Sequence, residues 1–299
     1  MKTILIAISS LLSLHFCAQY SNEVGIYIGG SNYLGEMGGN DKTRRGFIMD
    51  MKLEQTDLSF GTFFRHRFNN TFGVTTSLVY GRFSGDDGTS SNIGRQGRNL
   101  SFTNNVTELA GRLDYYFYNT YDLGGKGRYL LDFRPYAFGG VGVFHHNPKA
   151  EYNGEVYALR PLKTEGQDQE YSKISISVPM GVGFFLTYNK RYRISCELGW
   201  RKTFTDYLDD VSTTYASAED LGSELAVALA NRHGEIEESG NIAHESNYLP
   251  GNVRGNESNN DSYLMAHLGM SYVLRGAPVV HVITRGGHIP SFRSTRVSF

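Results

Sequence analysis

From 174 to 204 nearly every even-numbered residue is apolar, and the odd-numbered residues are mostly small or polar. The even set runs Ile174, Ile176, Val178, Met180, Val182, Phe184, Leu186 and Tyr188, then Tyr192, Ile194, Cys196, Leu198 and Trp200. The odd set includes Ser175, Ser177, Pro179, Gly181 and Gly183, then Arg193, Ser195, Glu197, Gly199 and Arg201. A period of two is that of a β-strand with one greasy and one polar face. The turn Asn189-Lys190 keeps the parity, so both strands present the greasy face to the same side. Each run exceeds the usual strand of about five or six residues and matches the roughly 9–11 residues a tilted strand needs to cross a bilayer. The hairpin predicts two staves of a transmembrane barrel, with lipid on the even side.

The same parity test finds six further strands. The first, at 23–30, turns Val24, Ile26 and Ile28 outward, and the second, at about 58–68, turns out Leu58, Phe60, Phe64 and Phe68. The third, at about 72–83, shows Phe72, Val74, Leu78 and Tyr80, and the fourth, at about 106–118, shows Leu109, Leu113, Tyr115 and Phe117. Glycines blur the faces of the fifth, at about 133–144. The last, at about 263–274, has Leu264, Ala266, Leu268, Met270, Tyr272 and Leu274 outward. The expected fold is all-β: an eight-stranded antiparallel transmembrane β-barrel of the outer-membrane type. An even count closes the sheet with both ends on one side, and closure leaves no backbone edge unsatisfied in lipid. Composition agrees. Of the 299 residues 35 are glycine, against a usual share of about 7%, and 20 tyrosines and 18 phenylalanines accompany one tryptophan. Formal charge is near neutral, which excludes the basic footprint of a nucleic-acid binder.

Residues 1–18 read as a secretory signal, with Lys2 as its basic start and an apolar core at 4–14 too short to span a bilayer as a helix. Phe16 argues against a lipoprotein anchored at Cys17, since a small residue is expected before the cysteine. The mature barrel is expected at 19–274 and a C-terminal tail at 275–299. Tight turns at Asn69-Asn70 and Asn189-Lys190 and a middling segment at 119–132 alternate with long connections at 31–57, 84–105, 145–173 and 205–262. Outer-membrane barrels keep short turns in the periplasm and long loops outside, so both ends of the mature chain are expected in the periplasm.

The inward parity carries charges of both signs: Glu23, Arg65, Arg67, Glu108, Arg112, Asp114, Arg193, Glu197 and Arg201. Eight strands leave a lumen that side chains fill, and buried charges must pair. These residues are read as a salt-bridged interior plug. In the last long loop, 217–232 predicts a helix capped by Ser217, with Leu221, Leu225, Ala228 and Leu229 as its apolar stripe. It either lids the barrel or packs on its own loop. Residues 235–260 are polar and are expected to be mobile. The tail carries Arg275, Arg285, Arg293 and Arg296 without an acid, and the β-prone Val279, Val280, Val282 and Ile283. It is read as a docking segment for a periplasmic partner or as a loose end. Asp206, Asp209 and Asp210 form an acidic cluster above the seventh strand. It lacks the spacing of a calcium loop, so capping and loop anchoring are expected. His145 and His146 have no recognisable serine and acid partners for a hydrolase. No catalytic, cofactor or metal site is assigned.

Three segments resemble the PorG-like outer-membrane proteins of the Bacteroidetes type IX secretion system. They are Glu23-Val24-Gly25-Ile26-Tyr27-Ile28-Gly29-Gly30-Ser31-Asn32-Tyr33-Leu34-Gly35-Glu36, then Arg134-Pro135-Tyr136-Ala137-Phe138-Gly139-Gly140-Val141-Gly142, and, most distinctive, Gly199-Trp200-Arg201-Lys202-Thr203-Phe204-Thr205-Asp206-Tyr207-Leu208-Asp209-Asp210-Val211-Ser212. The resemblance covers about 19–274. The last strand, with His267, Gly269, Tyr272 and Leu274, looks like the signal read by the barrel-assembly machinery, here followed by a tail. The resemblance implies a non-enzymatic component that associates with the periplasmic ring proteins of the secretion machine and anchors that ring to the outer membrane. The alternative reading is a free-standing small barrel that acts through its outer loops as an adhesin or membrane stabiliser.

Overall fold

The computed structural model describes residues 22–37, 55–118, 132–189, 191–236 and 245–274. Ten strands form: β1 (Asn22–Leu34), β2 (Asp57–Arg67), β3 (Phe72–Asp86), β4 (Ser101–Tyr116), β5 (Asp132–His145), β6 (Lys149–Tyr152), β7 (Glu155–Ala158), β8 (Ile174–Tyr188), β9 (Tyr192–Thr203) and β10 (Ser262–Leu274). Eight of them make a closed antiparallel barrel in the order β1-β2-β3-β4-β5-β8-β9-β10, and β10 returns to β1 to complete the ring. Closure runs the full length of both strands, from Asn22 opposite Leu274 to Leu34 opposite Ser262. The β5–β8 ladder lapses at 140–141, opposite Val178 and Pro179, where proline offers no N–H. β6 and β7 are a small hairpin outside the ring, attached to β4 where Thr103 faces Lys149.

The alternation in sequence becomes an alternation of side. Val24, Ile26, Ile28, Leu58, Phe60, Leu78, Leu109, Val141, Val143, Ile176, Val182, Ile194, Leu268 and Met270 are all exposed. A contiguous apolar exterior of this kind suits lipid, not water. Aromatic pairs lie on the outer face near the short turns: Phe72 with Tyr115 at 5.4 Å between ring centroids, Phe133 with Phe184 at 5.7 Å and Tyr192 with Tyr272 at 5.6 Å. Such rings occupy the interfacial level of membrane barrels. The faces of β5, blurred in sequence, resolve with Tyr136, Phe138 and Phe144 inward.

Four sequence expectations change. β1 continues to Leu34, β3 to Asp86, and β4 starts at Ser101, because Tyr33, Phe83 and Phe102 pack into a buried apolar cluster above the lipid-facing region. Leu264, expected outward, is only 3% exposed; in the ladder it lies opposite Trp200, beside that bulky ring. The helix expected over 217–232 forms only as α2 (Glu224–Ala230). Ser217 closes a separate turn onto Asp220, Gly222 interrupts, and Ser223 is the true cap, its Oγ accepting from the N–H of Ala226 at 3.1 Å. The described part of the polar stretch, 245–260, is fastened rather than loose: Thr214 bridges to Val253 and Arg254 is buried. A second short helix, α1 (Ile93–Arg98), caps the β3–β4 connection. No described helix is long and apolar enough to cross a membrane.

Candidate functional site

Parity sends Glu23, Arg65, Arg112, Asp114 and Glu197 into one layer of the lumen. There Arg65 donates from Nη1 to Glu23 Oε1 at 2.9 Å and from Nη2 to Glu197 Oε1 at 2.8 Å, and its Nε lies 3.1 Å from Asp114 Oδ2. Arg112 grips Glu197 bidentately, at 2.7 Å to Oε2 and 2.6 Å to Oε1, with its Nε 3.1 Å from Asp114 Oδ1. Two planar forks thus interlock with three carboxylates, the geometry that guanidinium favours and ammonium does not. Tyr27 donates to Glu197 at 2.8 Å and Tyr136 also donates to it. Thr75 donates to Asp114 at 2.5 Å, and Arg193 pairs with Glu23. Towards the long loops, Glu108 accepts from Ser177 at 2.8 Å and Tyr263 at 2.6 Å, with Arg201 Nε at 3.5 Å. All these charges are buried. A buried ion is tolerated only with its lone pairs and protons engaged.

Aromatic rings complete the fill. The Arg112 guanidinium carbon lies 4.0 Å from the Phe138 ring centroid, and that of Arg65 lies 4.9 Å from the ring of Tyr136. Glycine makes the room: a Cβ on Gly181 would stand 2.7 Å from Phe138 Cζ, and one on Gly183 would stand 2.9 Å from Tyr136 Cζ. These glycines serve close approach rather than turning.

Above the lumen the long connections form a cap held by buried polar groups. Tyr33, at the end of β1, donates to Asp209 at 2.6 Å and lies 2.8 Å from Asp261. Asp210 accepts from Thr164 at 2.5 Å and Tyr171 at 2.7 Å. Glu165 accepts from the backbone N–H groups of Ser212 and Thr213, at 2.8 and 3.0 Å, and from Arg254 at 2.9 Å. Arg98 grips Asp87 with two donors at 2.6 and 3.0 Å and donates to the carbonyl of Arg254 at 2.6 Å. Burial pushes the Asp209 carboxyl up to about 7 and that of Asp210 up to about 6. Desolvation outweighs the hydrogen bonds that favour the ionised form.

The plug residues Glu108, Arg112, Asp114, Arg193, Glu197 and Arg201 therefore sit together in the lumen, although Glu108 with Arg201 forms its own layer. Arg67 lines the short-turn mouth and is partly exposed. The acidic cluster divides: Asp209 and Asp210 each fasten the cap to a different element. His145 and His146 point to opposite sides. His145 is exposed, whereas His146 is buried beside Tyr171, and burial holds its imidazole down at about 4. Gly269 faces the lumen against Tyr27, while Tyr272 and Leu274 lie on the outer face. The signal segment 1–18 and the tail arginines Arg275, Arg285, Arg293 and Arg296 fall outside the described residues. Sequence reasoning passed over Glu165, Arg254, Arg98 and Asp87, isolated charges in loops with no periodic signal. It also missed the β6–β7 hairpin, which Asn153-Gly154 between two short alternating runs announces; both residues have positive φ, +53° and +82°, as a tight hairpin turn requires.

Fold and interior together define a small, side-chain-filled, eight-stranded barrel of the outer-membrane class. The chain belongs to the family described as "Domain of unknown function (DUF6089)", whose model matches residues 2–223. No curated protein matches it in sequence. Among solved structures it is similar to the attachment invasion locus protein Ail of Yersinia pestis, at 11% identity over 85% of this chain and 99% of that one, with a TM-score of 0.37. It is similar also to OprG of Pseudomonas aeruginosa, at 11% identity over 87% and 99% with a TM-score of 0.37. The N-terminal barrel of Pseudomonas aeruginosa OprF is another, at 12% over 86% and 100% with a TM-score of 0.35. With TM-scores this low, none of these likenesses says what the chain does.

Proposed function

We propose that this protein is a non-enzymatic outer-membrane component of a type IX protein secretion system, which holds the periplasmic ring of that machine to the membrane. The carrying observation is the filled lumen. Carboxylates and guanidiniums from strands all round the barrel neutralise one another across it, which suits a rigid anchor rather than a conduit. The apolar exterior supports an outer-membrane location, since a sheet without edges is what lipid demands. The third resembling segment, 199–212, runs from the top of β9 into the cap, and Asp206, Leu208, Asp209, Asp210 and Val211 within it are all buried. That gives its residues a structural reason to stand together. In this reading the ends of the mature chain and the short turns face the periplasm, the outer loops form an external cap, the segment Gly269, Tyr272 and Leu274 guides assembly, and the basic tail 275–299 meets the ring proteins. The test is co-purification of the barrel with the ring from cross-linked cells. Removal of 275–299 is expected to release the barrel, and full recovery of ring proteins with the shortened chain would refute the tail's role.

One observation favours a second reading, a free-standing barrel acting through its loops. The cap has its own buried core, in which Leu221 and Ala226 pack with Ala230, and it presents Ile93, Val156, Leu249 and Val253 outward. An adhesin or stabiliser would need that cap and not the tail.

A further inference from the structure

One stretch of the outer wall is hollow. Gly30 of β1 faces Ala266 of β10, and this pair lies between Leu58 of β2 and Leu198 of β9. Neither carries more than a methyl group, so the apolar surface dips where they meet. The next outward residues, Ile28, Leu268 and Cys196, again stand side by side. The result is a notch of about 450 Å³ bordered by Ile28, Leu58, Cys196, Ala266 and Leu268. Ile28, Leu58 and Leu268 are 57, 63 and 59% exposed, so the notch opens to the outside of the barrel and not into its lumen. Water does not fill a hollow that faces hydrocarbon, and an empty one forfeits its dispersion contacts.

A cation stands beside the notch at the long-loop rim. Gly81 pairs with Ser59, which puts Arg82 next to Leu58 on the outer face. Arg82 lies one outward position beyond Tyr80, whose ring is 5.1 Å from that of Phe60, and such aromatic pairs mark the level where headgroups begin. Its side chain is 57% exposed, and its Nε stands 3.8 Å from Asp57 Oδ1, too far for a hydrogen bond. Asp57 is held instead by Ser84, whose hydroxyl donates to Oδ2 at 2.5 Å. The Arg82 fork therefore has donors to offer a phosphate. We propose that this wall binds one anionic phospholipid of the surrounding leaflet, with its phosphate on Arg82 and one acyl chain in the notch. A hollow that meets only hydrocarbon, below a cation at headgroup level, complements such a lipid in shape and charge. The site needs the membrane location alone and does not depend on the secretion role.

The test is native mass spectrometry of the full mature chain, extracted by detergent from vesicles of phosphatidylglycerol mixed with phosphatidylcholine. The wild type is expected to retain one phosphatidylglycerol per barrel. Arg82→Gln should lower the retained fraction about fivefold, the attraction of one cation for an anionic lipid. Ala266→Leu, which fills the notch with an apolar side chain on an apolar face, should lower it likewise. Both substitutions lie on the outer wall and leave the lumen untouched. Trp200, the one tryptophan of the chain, gives a readout independent of how the variants fold. It pairs with Leu264 and is the diagonal neighbour of Ala266, at about 7–8 Å, so a retained phosphatidylglycerol with brominated chains should quench its fluorescence. Complete stripping of lipid from the wild type, equal retention of the two lipids, or unchanged retention in either variant would overturn the site. Retained brominated lipid that leaves Trp200 unquenched would overturn it as well.

Discussion

Glu197 accepts from two arginines and two tyrosines at once. Replacing it by alanine strands Arg65 and Arg112 in a dry lumen, and breaking a buried pair in this way costs roughly 3–5 kcal/mol. Glu197→Ala should lower the urea midpoint of the refolded barrel by a corresponding amount. An unchanged midpoint would mean that water already reaches these groups. At the cap the controlling residues are Asp209 and Asp210. Their carboxyls, pushed up to about 7 and about 6 by burial, hold a proton in the fold that the unfolded chain releases near pH 4. Between those values the folded cap binds more protons than the unfolded chain, so its stability falls as pH rises through the window. Protection factors for amide exchange over 206–212, taken relative to the intrinsic base-catalysed rate at each pH, should therefore be higher at pH 5 than at pH 8, and Asp209→Asn should flatten the difference. Equal protection at both pH values would contradict the assignment.

At the scale of elements, the β6–β7 hairpin turns on Gly154 at φ +82°. Gly154→Val forces a branched side chain into the left-handed region and should open the hairpin to protease at the cost of about 1–2 kcal/mol, with the barrel itself intact. Ser223→Ala removes the cap of α2 and should cost about 1 kcal/mol of local stability, seen as faster amide exchange over 224–230. The eight barrel strands were legible because lipid and lumen impose opposite chemistry on alternate residues, and the parity of 174–188 or 72–80 is read directly. The same parity named Glu108, Arg112, Asp114, Arg193, Glu197 and Arg201 as inward. Their partners were not legible, since Arg65 meets Glu197 only when the barrel closes, 132 positions apart in the chain. The cap was opaque for a related reason. Arg254 and Glu165 sit in unpatterned loops, and the helical stripe read over 217–232 overruns α2 at its start, where the Ser217 turn and Gly222 precede the true cap, Ser223.

The whole molecule is a barrel with an apolar exterior, a neutralised interior and a fastened outer cap. Such a barrel should pass no steady ionic current. Purified protein in a planar bilayer is expected to be silent, and the double substitution Arg65→Ala with Arg112→Ala, which removes the two bridging forks, should introduce conductance if the barrel still assembles. Open channels in the wild type would mean that the lumen rearranges in the membrane. The role in secretion is tested most directly by deleting the gene in its host and assaying type IX cargo in the medium and at the cell surface. Loss of cargo, restored by the full chain and accompanied by an unchanged set of other outer-membrane proteins, is the predicted result. Normal cargo release and display in the deletion strain would contradict the secretion role.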